Sequence, residues 1–71
     1  MNVIINNEMS RKERKRLKTK DCLLVAAQEL FLKDGVDSVT INQITEKADI
    51  GLGTFYNYFK SKNDIFNGLA E

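Results

Sequence analysis

Two segments of this 71-residue chain carry side chains whose types and spacing could do chemistry. The first is basic: Ser10–Lys20 holds seven Lys and Arg residues against one Glu, a net charge of +6, while the rest of the chain carries −5. The second, Leu52–Tyr58, is uncharged but rich in hydroxyl and amide groups. Positive charge attracts polyanions, and hydroxyl groups commonly donate hydrogen bonds to phosphate oxygens. Together the two segments favour recognition of a nucleic acid.

The residues that most enzymes and metal sites need are missing from the sequence. It has no histidine and a single cysteine, Cys22, which leaves no cysteine–histidine nucleophile and no ligand set for zinc. We interpret Cys22 as a small residue within a helix. Gly51 and Gly53 lack the third glycine and the preceding strand of a dinucleotide-binding loop. We therefore predict that the chain is not an enzyme and has no catalytic, cofactor-binding or metal-binding residue.

Cysteine use and the first residues indicate where the protein works. One cysteine cannot form an intramolecular disulfide, which fits a reducing compartment. The apolar opening Met1–Ile5 is too short for a signal peptide or a membrane span. We predict a soluble, cytoplasmic protein with no membrane partner.

Apolar residues at helical spacing predict the elements that position the two segments. A first helix is expected over Arg11–Asp34, because five apolar residues fall on one face, namely Leu23, Ala26, Ala27, Leu30 and Phe31. Gly35 suits the left-handed position that ends a helix. Residues 1–10 show no period and are predicted to be a disordered tail.

Capping signals predict three shorter helices after the first. Thr40 and Gln43 form a capping box for a second helix that ends near Ala48, with Val39 and Ile44 as a hydrophobic staple. A tight turn at 49–51 leads to a third helix over 52–59. A fourth helix follows, with Ser61 as its cap and Asp64 at its third position.

This pattern predicts an all-α fold, a three-helix homeodomain-like helix-turn-helix bundle with the start of a fourth helix. In a helix-turn-helix unit the later of the two short helices enters the major groove, with its N-terminal residues nearest the base edges. Here that is the third helix, over 52–59. We expect all four phenylalanines, Phe31, Phe55, Phe59 and Phe66, in the core. With Phe55 and Phe59 turned inward, six residues are left on or beside the open face: Leu52, Gly53, Thr54, Tyr56, Asn57 and Tyr58.

Two motifs carry a resemblance to a known family. They are the run "LLVAAQELFLKDG" and the run "VTINQITEKADIGLGTFYNYFKSKNDIF", with G-T-F-Y-x-Y-F-x-S-K-x-D-I the more specific part. From Leu23 to Leu69 the chain resembles the N-terminal domain of tetracycline-repressor (TetR) family regulators. The resemblance implies a DNA-binding domain at residues 11–60, with residues 61–71 starting a linker helix to a C-terminal domain that is absent here.

The resemblance also implies partners. It implies sequence-specific binding of double-stranded DNA by a transcriptional regulator, usually a repressor, on a palindromic operator. The complete protein would be a homodimer through the absent C-terminal domain. A small-molecule effector would bind that domain and not this segment.

Functional positions follow from the resemblance one at a time. Thr40 matches a residue that caps the second helix and meets phosphate, and Asn42 matches one that contacts a base or phosphate. Lys62 matches a lysine that reaches phosphate. Along the third helix, Leu52 and Gly53 match positions nearest the base edges. The remaining matches, to positions that contact the backbone or a base, are Thr54, Tyr56 and Tyr58.

The sequence departs from the family pattern at three positions. Asp49 replaces the usual turn glycine, although aspartate tolerates the left-handed conformation better than most residues. Gly51 replaces a serine that often caps the recognition helix. Leu52 replaces a polar residue, so contact there would be apolar, for example with a thymine methyl group.

Several alternatives stay open on sequence alone. Tyr58 either contacts DNA or packs half-buried against the first helix. The basic segment either extends the first helix over phosphates, enters an adjacent minor groove, or is a solvated or targeting tail. The chain as a whole could instead be a protein-interaction or membrane-surface module that acts through this basic segment. Substituting Tyr56 and Lys62 would separate the two functions, because only DNA binding should be lost.

Overall fold

The structure, a computed structural model, describes residues 10–70, which form four α-helices and a short 3-10 turn. The helices are α1 (Arg11–Asp34), α2 (Ile41–Ala48), α3 (Leu52–Tyr58) and α4 (Lys62–Ala70), and the 3-10 turn spans Val36–Ser38. All regular elements within these residues are helical, which confirms the all-α prediction. The predicted tail, residues 1–10, lies outside the described residues except for Ser10.

Helix α1 begins at a capping box and packs through its second half. The Ser10 hydroxyl accepts a hydrogen bond from the Glu13 amide at 3.1 Å, and the Ser10 amide donates to the Glu13 carboxylate at 3.1 Å. Its buried residues begin only at Leu23. At about 1.5 Å per residue, roughly 18 Å of helix precedes that point. Within residues 10–70, every helix is too short or too polar to cross a lipid bilayer.

Gly35 ends α1 in a different way from the one predicted. Its φ of 87° is positive, as expected, but its ψ of 149° is extended and not left-handed helical. The amide of Gly35 donates to the Phe31 carbonyl at 2.9 Å, and the Gly35 carbonyl accepts from the Ser38 amide at 3.2 Å. The extended ψ turns the chain directly into the 3-10 turn, so the predicted left-handed helical conformation is wrong.

Helix α2 is bounded by the two signals present in the sequence. The Thr40 hydroxyl accepts from the Gln43 amide at 3.2 Å, and the Thr40 amide donates to the Gln43 side-chain oxygen at 2.9 Å. At the other end, Asp49 is left-handed, with φ 58° and ψ 46°. The capping box and the turn residue are both confirmed, and they set the direction in which the chain enters α3.

The core joins the second half of α1 to one face of each later helix. The nine buried apolar residues are Leu23, Ala26, Ala27, Phe31, Val39, Ile44, Phe55, Phe59 and Ile65. Three of the four predicted core phenylalanines are among them. Phe66 is not: it is 42% exposed and meets Phe31 edge-to-face at a centroid distance of 5.9 Å. That prediction is wrong because Ile65 takes the buried position on α4.

The segment between α3 and α4 closes the domain. Helix α3 ends at Tyr58, one residue before the predicted end, since Phe59 is extended while its amide still donates to the Phe55 carbonyl at 2.9 Å. The Ser61 hydroxyl accepts from the Asp64 amide at 3.1 Å, which confirms the predicted cap. The Asp64 carboxylate accepts from the Lys60 amide at 2.8 Å. These bonds fix the turn that leads the chain from α3 into α4.

Candidate nucleic-acid interface

Helix α3 presents one face to the core and the other to solvent. Phe55 is fully buried and Phe59, just beyond the helix, is nearly so, because residues four apart lie on the same side of a helix. On the other side, Leu52 is 45% exposed and Tyr56 is 51% exposed. Gly53 and Asn57 are also exposed, while Thr54 and Tyr58 are half-buried. The structure therefore keeps all six predicted open-face residues accessible in whole or in part.

The backbone at the start of α3 is exposed, because two of its first residues are glycines without side chains. Gly51 precedes the helix with an extended backbone, φ −67° and ψ 153°, and makes no side-chain cap. A methyl group built on Gly53 would meet no other atom within 4 Å. The folded domain therefore does not need glycine at position 53 for its own packing. Close approach of a partner to the backbone would be a reason for glycine there.

The side-chain hydroxyls of α3 remain available to a partner. Among residues 10–70, neither Thr54 nor Tyr56 takes part in a side-chain hydrogen bond. The Tyr56 ring contacts Phe55 edge-to-face, with centroids 5.3 Å apart. This contact holds the ring against the core while about half of the residue remains exposed. Each group can donate a hydrogen bond without breaking one inside the domain.

The start of α2 adds two polar side chains. Thr40 and Asn42 are both exposed. The Thr40 hydroxyl uses its oxygen as the helix cap, which leaves its proton free for an acceptor such as a phosphate oxygen. The main-chain carbonyl of Asn42 accepts from the Thr45 hydroxyl at 3.0 Å. The side-chain amide of Asn42 takes no part in that bond.

Lys62 ties the start of α4 to the entrance of α2. Its Nζ donates to the Val39 carbonyl at 3.0 Å, a bond that joins residues 23 positions apart. Val39 directly precedes Thr40, so the structure brings the predicted sites Lys62 and Thr40 to one end of the domain. An ammonium group has three protons, and one such bond leaves others for an anion. Sequence reasoning missed the contact with Val39, because nothing local couples the two residues.

Tyr58 lies at the far end of α3 and faces α1. The Arg16 guanidinium lies over the Tyr58 ring at 5.9 Å from its centroid, and the Lys20 ammonium lies over the Phe59 ring at the same distance. Asn57 and Tyr58 line an open cleft of about 430 Å³ together with four residues of α1, which are Glu13, Arg16, Leu17 and Lys20. Sequence reasoning identifies the basic segment but not these two cations. Arg14 and Lys18 share their i, i+4 spacing, so spacing alone does not distinguish them.

The electrostatics of the surface divide between the helices. Helix α3 contributes no charge, and the positive charge of the surface comes from α1 and from Lys62. Within the residues that the structure describes, no group of His, Cys, Asp and Glu could hold a metal ion. What the surface can do is donate hydrogen bonds from hydroxyl, amide and ammonium groups. It also offers one apolar side chain, Leu52.

Comparisons with known proteins agree with this geometry. The family described as "Bacterial regulatory proteins, tetR family" matches residues 23–69. The chain is 43% identical over 49 residues to YvdT of Bacillus subtilis, described as an "uncharacterized HTH-type transcriptional regulator". The aligned residues cover 69% of this chain and 25% of that protein. It is 41% identical over 39 residues to an HTH-type transcriptional regulator of Staphylococcus aureus strain USA300, 55% of this chain and 21% of that one.

These matches cover only part of the length of each relative. The chain spans about a quarter or less of the length of the curated relatives it matches. The matched residues run from the first buried position of α1 to Leu69, one residue before the end of α4. A comparison with solved structures gives no significant match.

Proposed function

The chain belongs to the tetR family of bacterial regulatory proteins and is a DNA-binding helix-turn-helix domain of a transcription regulator, and from this premise we propose that α3 reads the major groove of an operator. Regulators of this family bind DNA and are not enzymes. The observation that carries the proposal is the exposed face of α3, where hydroxyl groups without internal partners lie beside a bare first turn. Polar groups of this kind on a protruding helix can exchange water for DNA oxygens at little cost to folding.

We assign the two ends of α3 different tasks. Leu52 and Gly53, in its first turn, would lie nearest the base edges, where a leucine side chain can contact a thymine methyl group. Thr54, Tyr56, Asn57 and Tyr58 would contact phosphates or bases farther along. Because the helix has no charged side chain, specificity would depend on a few hydroxyl and apolar contacts together with the shape of the duplex.

Thr40, Asn42 and Lys62 would fix the position of the domain on the backbone. Contacts to phosphate set register without reading sequence. The free proton of the Thr40 hydroxyl and the remaining protons of the Lys62 ammonium are suited to this role. Asn42, on the first turn of α2, would reach a phosphate or a base.

The activity of the complete regulator is a wider proposal. We propose that it represses transcription as a homodimer on a palindromic operator, with dimerisation and binding of a small-molecule effector in parts of the protein outside this chain. Two-fold symmetry in the protein would be mirrored by the two half-sites of the DNA. Because such a protein works where the chromosome is, we propose a cytoplasmic location.

The test uses the 71-residue chain and duplexes that it selects from a random pool. Affinity for the selected duplex is measured by fluorescence anisotropy for the chain and for the double variant Thr54→Val and Tyr56→Phe. These changes remove two hydroxyl groups and keep the shapes of the side chains. We expect affinity to fall by about tenfold or more, since each neutral hydrogen bond contributes about 0.5–1.5 kcal/mol.

A matched control removes a hydroxyl elsewhere. Thr19→Val on α1 loses a hydroxyl that donates to the Lys15 carbonyl at 2.9 Å, and it should leave the affinity for DNA unchanged. The proposal is refuted if the chain selects no duplex, or if the double variant binds as tightly as the unchanged chain. Binding that depends only on the basic segment would instead support a general interaction module.

A further inference from the structure

We propose that Arg16 and Lys20 form a phosphate-binding ridge on α1 that grips one DNA strand at the C-terminal end of α3. The inference rests on the proposed function, in which α3 lies in the major groove. It adds a second contact with DNA, made by α1. Of the open interpretations of the basic segment, it favours the one in which the first helix extends over phosphates, and it names the two residues involved.

The first support is position. Seven Lys and Arg residues lie between Ser10 and Lys20, and the helical period distributes them around α1. Arg16 and Lys20 are one turn apart on the face that borders α3, where they line the cleft with Asn57 and Tyr58. Lys18 faces another way, into a separate cleft beside Lys47 and Ala48 of α2. Only part of the basic segment therefore adjoins the end of α3.

The second support is order. Arg16 lies over the Tyr58 ring and Lys20 over the Phe59 ring, both at 5.9 Å from the centroid. A cation held over an aromatic face loses less side-chain freedom when it then binds an anion. The aromatic residues at the end of α3 thus hold the two cations in place beside it.

The third support is positive charge that no ion pair among residues 10–70 neutralises. Among residues 10–70 the one ion pair joins Lys47 and Glu29 at 3.4 Å. The acidic residues that line the same clefts as Arg16 and Lys20 are Glu13 and Asp64. Their carboxylates accept hydrogen bonds from the backbone amides of Ser10 and Lys60 respectively. Both cations therefore remain available to an external anion.

The fourth support is the size of the groove. Helix α3 has seven residues, about 10 Å at 1.5 Å per residue, and the major groove is about 12 Å wide. With the first turn of α3 nearest the bases, its other end lies toward the rim, where the phosphates are. A guanidinium and an ammonium beside that end would meet the backbone of one strand.

The sequence supplies a matched control for the test. Arg14 and Lys18 are the same two residue types at the same spacing on the same helix, and both are exposed, but they do not line the cleft beside α3. We would compare R16Q/K20Q with R14Q/K18Q in the full chain, with circular dichroism to verify that each remains helical. Affinity for the selected duplex is measured across a range of salt concentrations.

The ridge predicts unequal effects from equal changes in charge. R16Q/K20Q should weaken binding by about tenfold for each of the two cations removed. It should also reduce the slope of log affinity against log salt by about 1.8, since each neutralised phosphate contributes about 0.9. R14Q/K18Q should produce less than half of either effect. Equal losses of affinity from the two pairs would show a diffuse positive charge and would overturn the ridge.

A gain of affinity gives an independent test that misfolding cannot imitate. Glu13→Gln removes the negative charge from the cleft but keeps an oxygen that can accept from the Ser10 amide. Affinity should rise by roughly two- to fivefold, as expected for one exposed charge pair. No increase would count against a phosphate in the cleft.

The failure of this inference can be distinguished from failure of the proposed function. If the chain selects no duplex, or if Thr54→Val with Tyr56→Phe has no effect, the proposed function fails and the ridge with it. If that variant loses affinity while the two basic pairs behave alike, only the ridge fails.

Discussion

Helices α2 and α3 are neighbours of nearly equal length, eight and seven residues, but they are held in place by different means. Helix α2 has a complete capping box at its start and a left-handed aspartate at its end. Helix α3 has neither a side-chain cap nor a left-handed residue after it, and it contains a glycine in its first turn. Its place in the domain depends on the aromatic side chains that it sends into the core, Phe55 and, just beyond its end, Phe59.

The difference shows how an exposed polar surface can be kept available to a partner. The polar groups at the start of α2 are largely used to cap that helix, whereas the Thr54 and Tyr56 hydroxyls of α3 have no partner among residues 10–70. Isolated helices this short are unstable in water, so each needs tertiary packing. Helix α3 relies on that packing more heavily and in return has an open backbone and free hydroxyls. Substitutions in the two helices should therefore have different consequences.

The largest effect is expected from the aromatic anchor of α3. Phe55→Ala should destabilise the domain by about 3–5 kcal/mol, because it leaves a cavity where a fully buried ring was. A core of this size rarely supplies more than about that amount, so the variant should be unfolded. Phe66→Ala is the matched control: its ring is 42% exposed, and it should lose about 1 kcal/mol. Chemical denaturation measures both, and similar losses would contradict the anchoring role of Phe55.

The next effect tests the caps of α2. Thr40→Ala removes the hydroxyl that accepts from the Gln43 amide and should cost about 1 kcal/mol of unfolding free energy. Thr19→Ala is the control and should cause no loss of unfolding free energy. The Thr19 hydroxyl lies within α1 and caps no helix, and alanine is the better helix former. Thermal unfolding without DNA reports both. No loss from Thr40→Ala would mean that α2, like α3, is held by packing alone.

Gly53 offers a prediction in which stability and binding move in opposite directions. Gly53→Ala should raise the unfolding free energy by up to about 1 kcal/mol, since its methyl group meets nothing in the domain. The same methyl group should weaken DNA binding by about tenfold, because a close interface does not accommodate it.

The control for Gly53 is the same substitution on α4. A methyl group on Gly68 would lie 3.6 Å from Leu24 and 3.8 Å from Phe59, which are ordinary contact distances. Gly68→Ala should stabilise the domain by a similar amount and leave DNA affinity unchanged. Unchanged affinity in Gly53→Ala as well would mean that DNA does not approach the first turn of α3.

The smallest effect concerns the missing cap of α3. Gly51→Ser should add a few tenths of a kcal/mol, because the extended backbone at this position suits serine and its hydroxyl can accept from the start of the helix. Careful chemical denaturation, with m-values held equal, resolves a change of this size. A loss of stability would show that a side chain at position 51 is unfavourable for a reason other than backbone conformation.

Local signals predict most of the fold, and a long-range contact accounts for the miss at Phe66. Thr40, Gln43 and Asp49 specify α2 by themselves, and the helix they predict is the one observed. The Ser10 capping box follows the same rule as that of Thr40 but lies in a segment without an apolar period, so sequence reasoning misses it. Phe66 fits the apolar face of α4 in sequence, whereas the side on which α4 packs is decided by α1.

The sequence predicts the polar face of the candidate site but not the contacts that α1 and α4 make around it. The spacing of Phe55 and Phe59 is enough to identify which side of α3 is open. The bond from Lys62 to the Val39 carbonyl joins residues far apart in sequence, and no local pattern indicates it. The basic residues of α1 look equivalent in sequence, and the packing of α1 beside the end of α3 separates Arg16 and Lys20 from the others.

The uneven burial of α1 has a consequence for its local dynamics. Its second half belongs to the core, so we expect it to open only when the whole domain unfolds, whereas its first half is secured by a capping box and two cation–aromatic contacts. Backbone amides in such a helix exchange their hydrogens with solvent on two very different timescales. The first turns can therefore bend or fray to follow the curvature of a bound surface while the rest of the helix stays rigid.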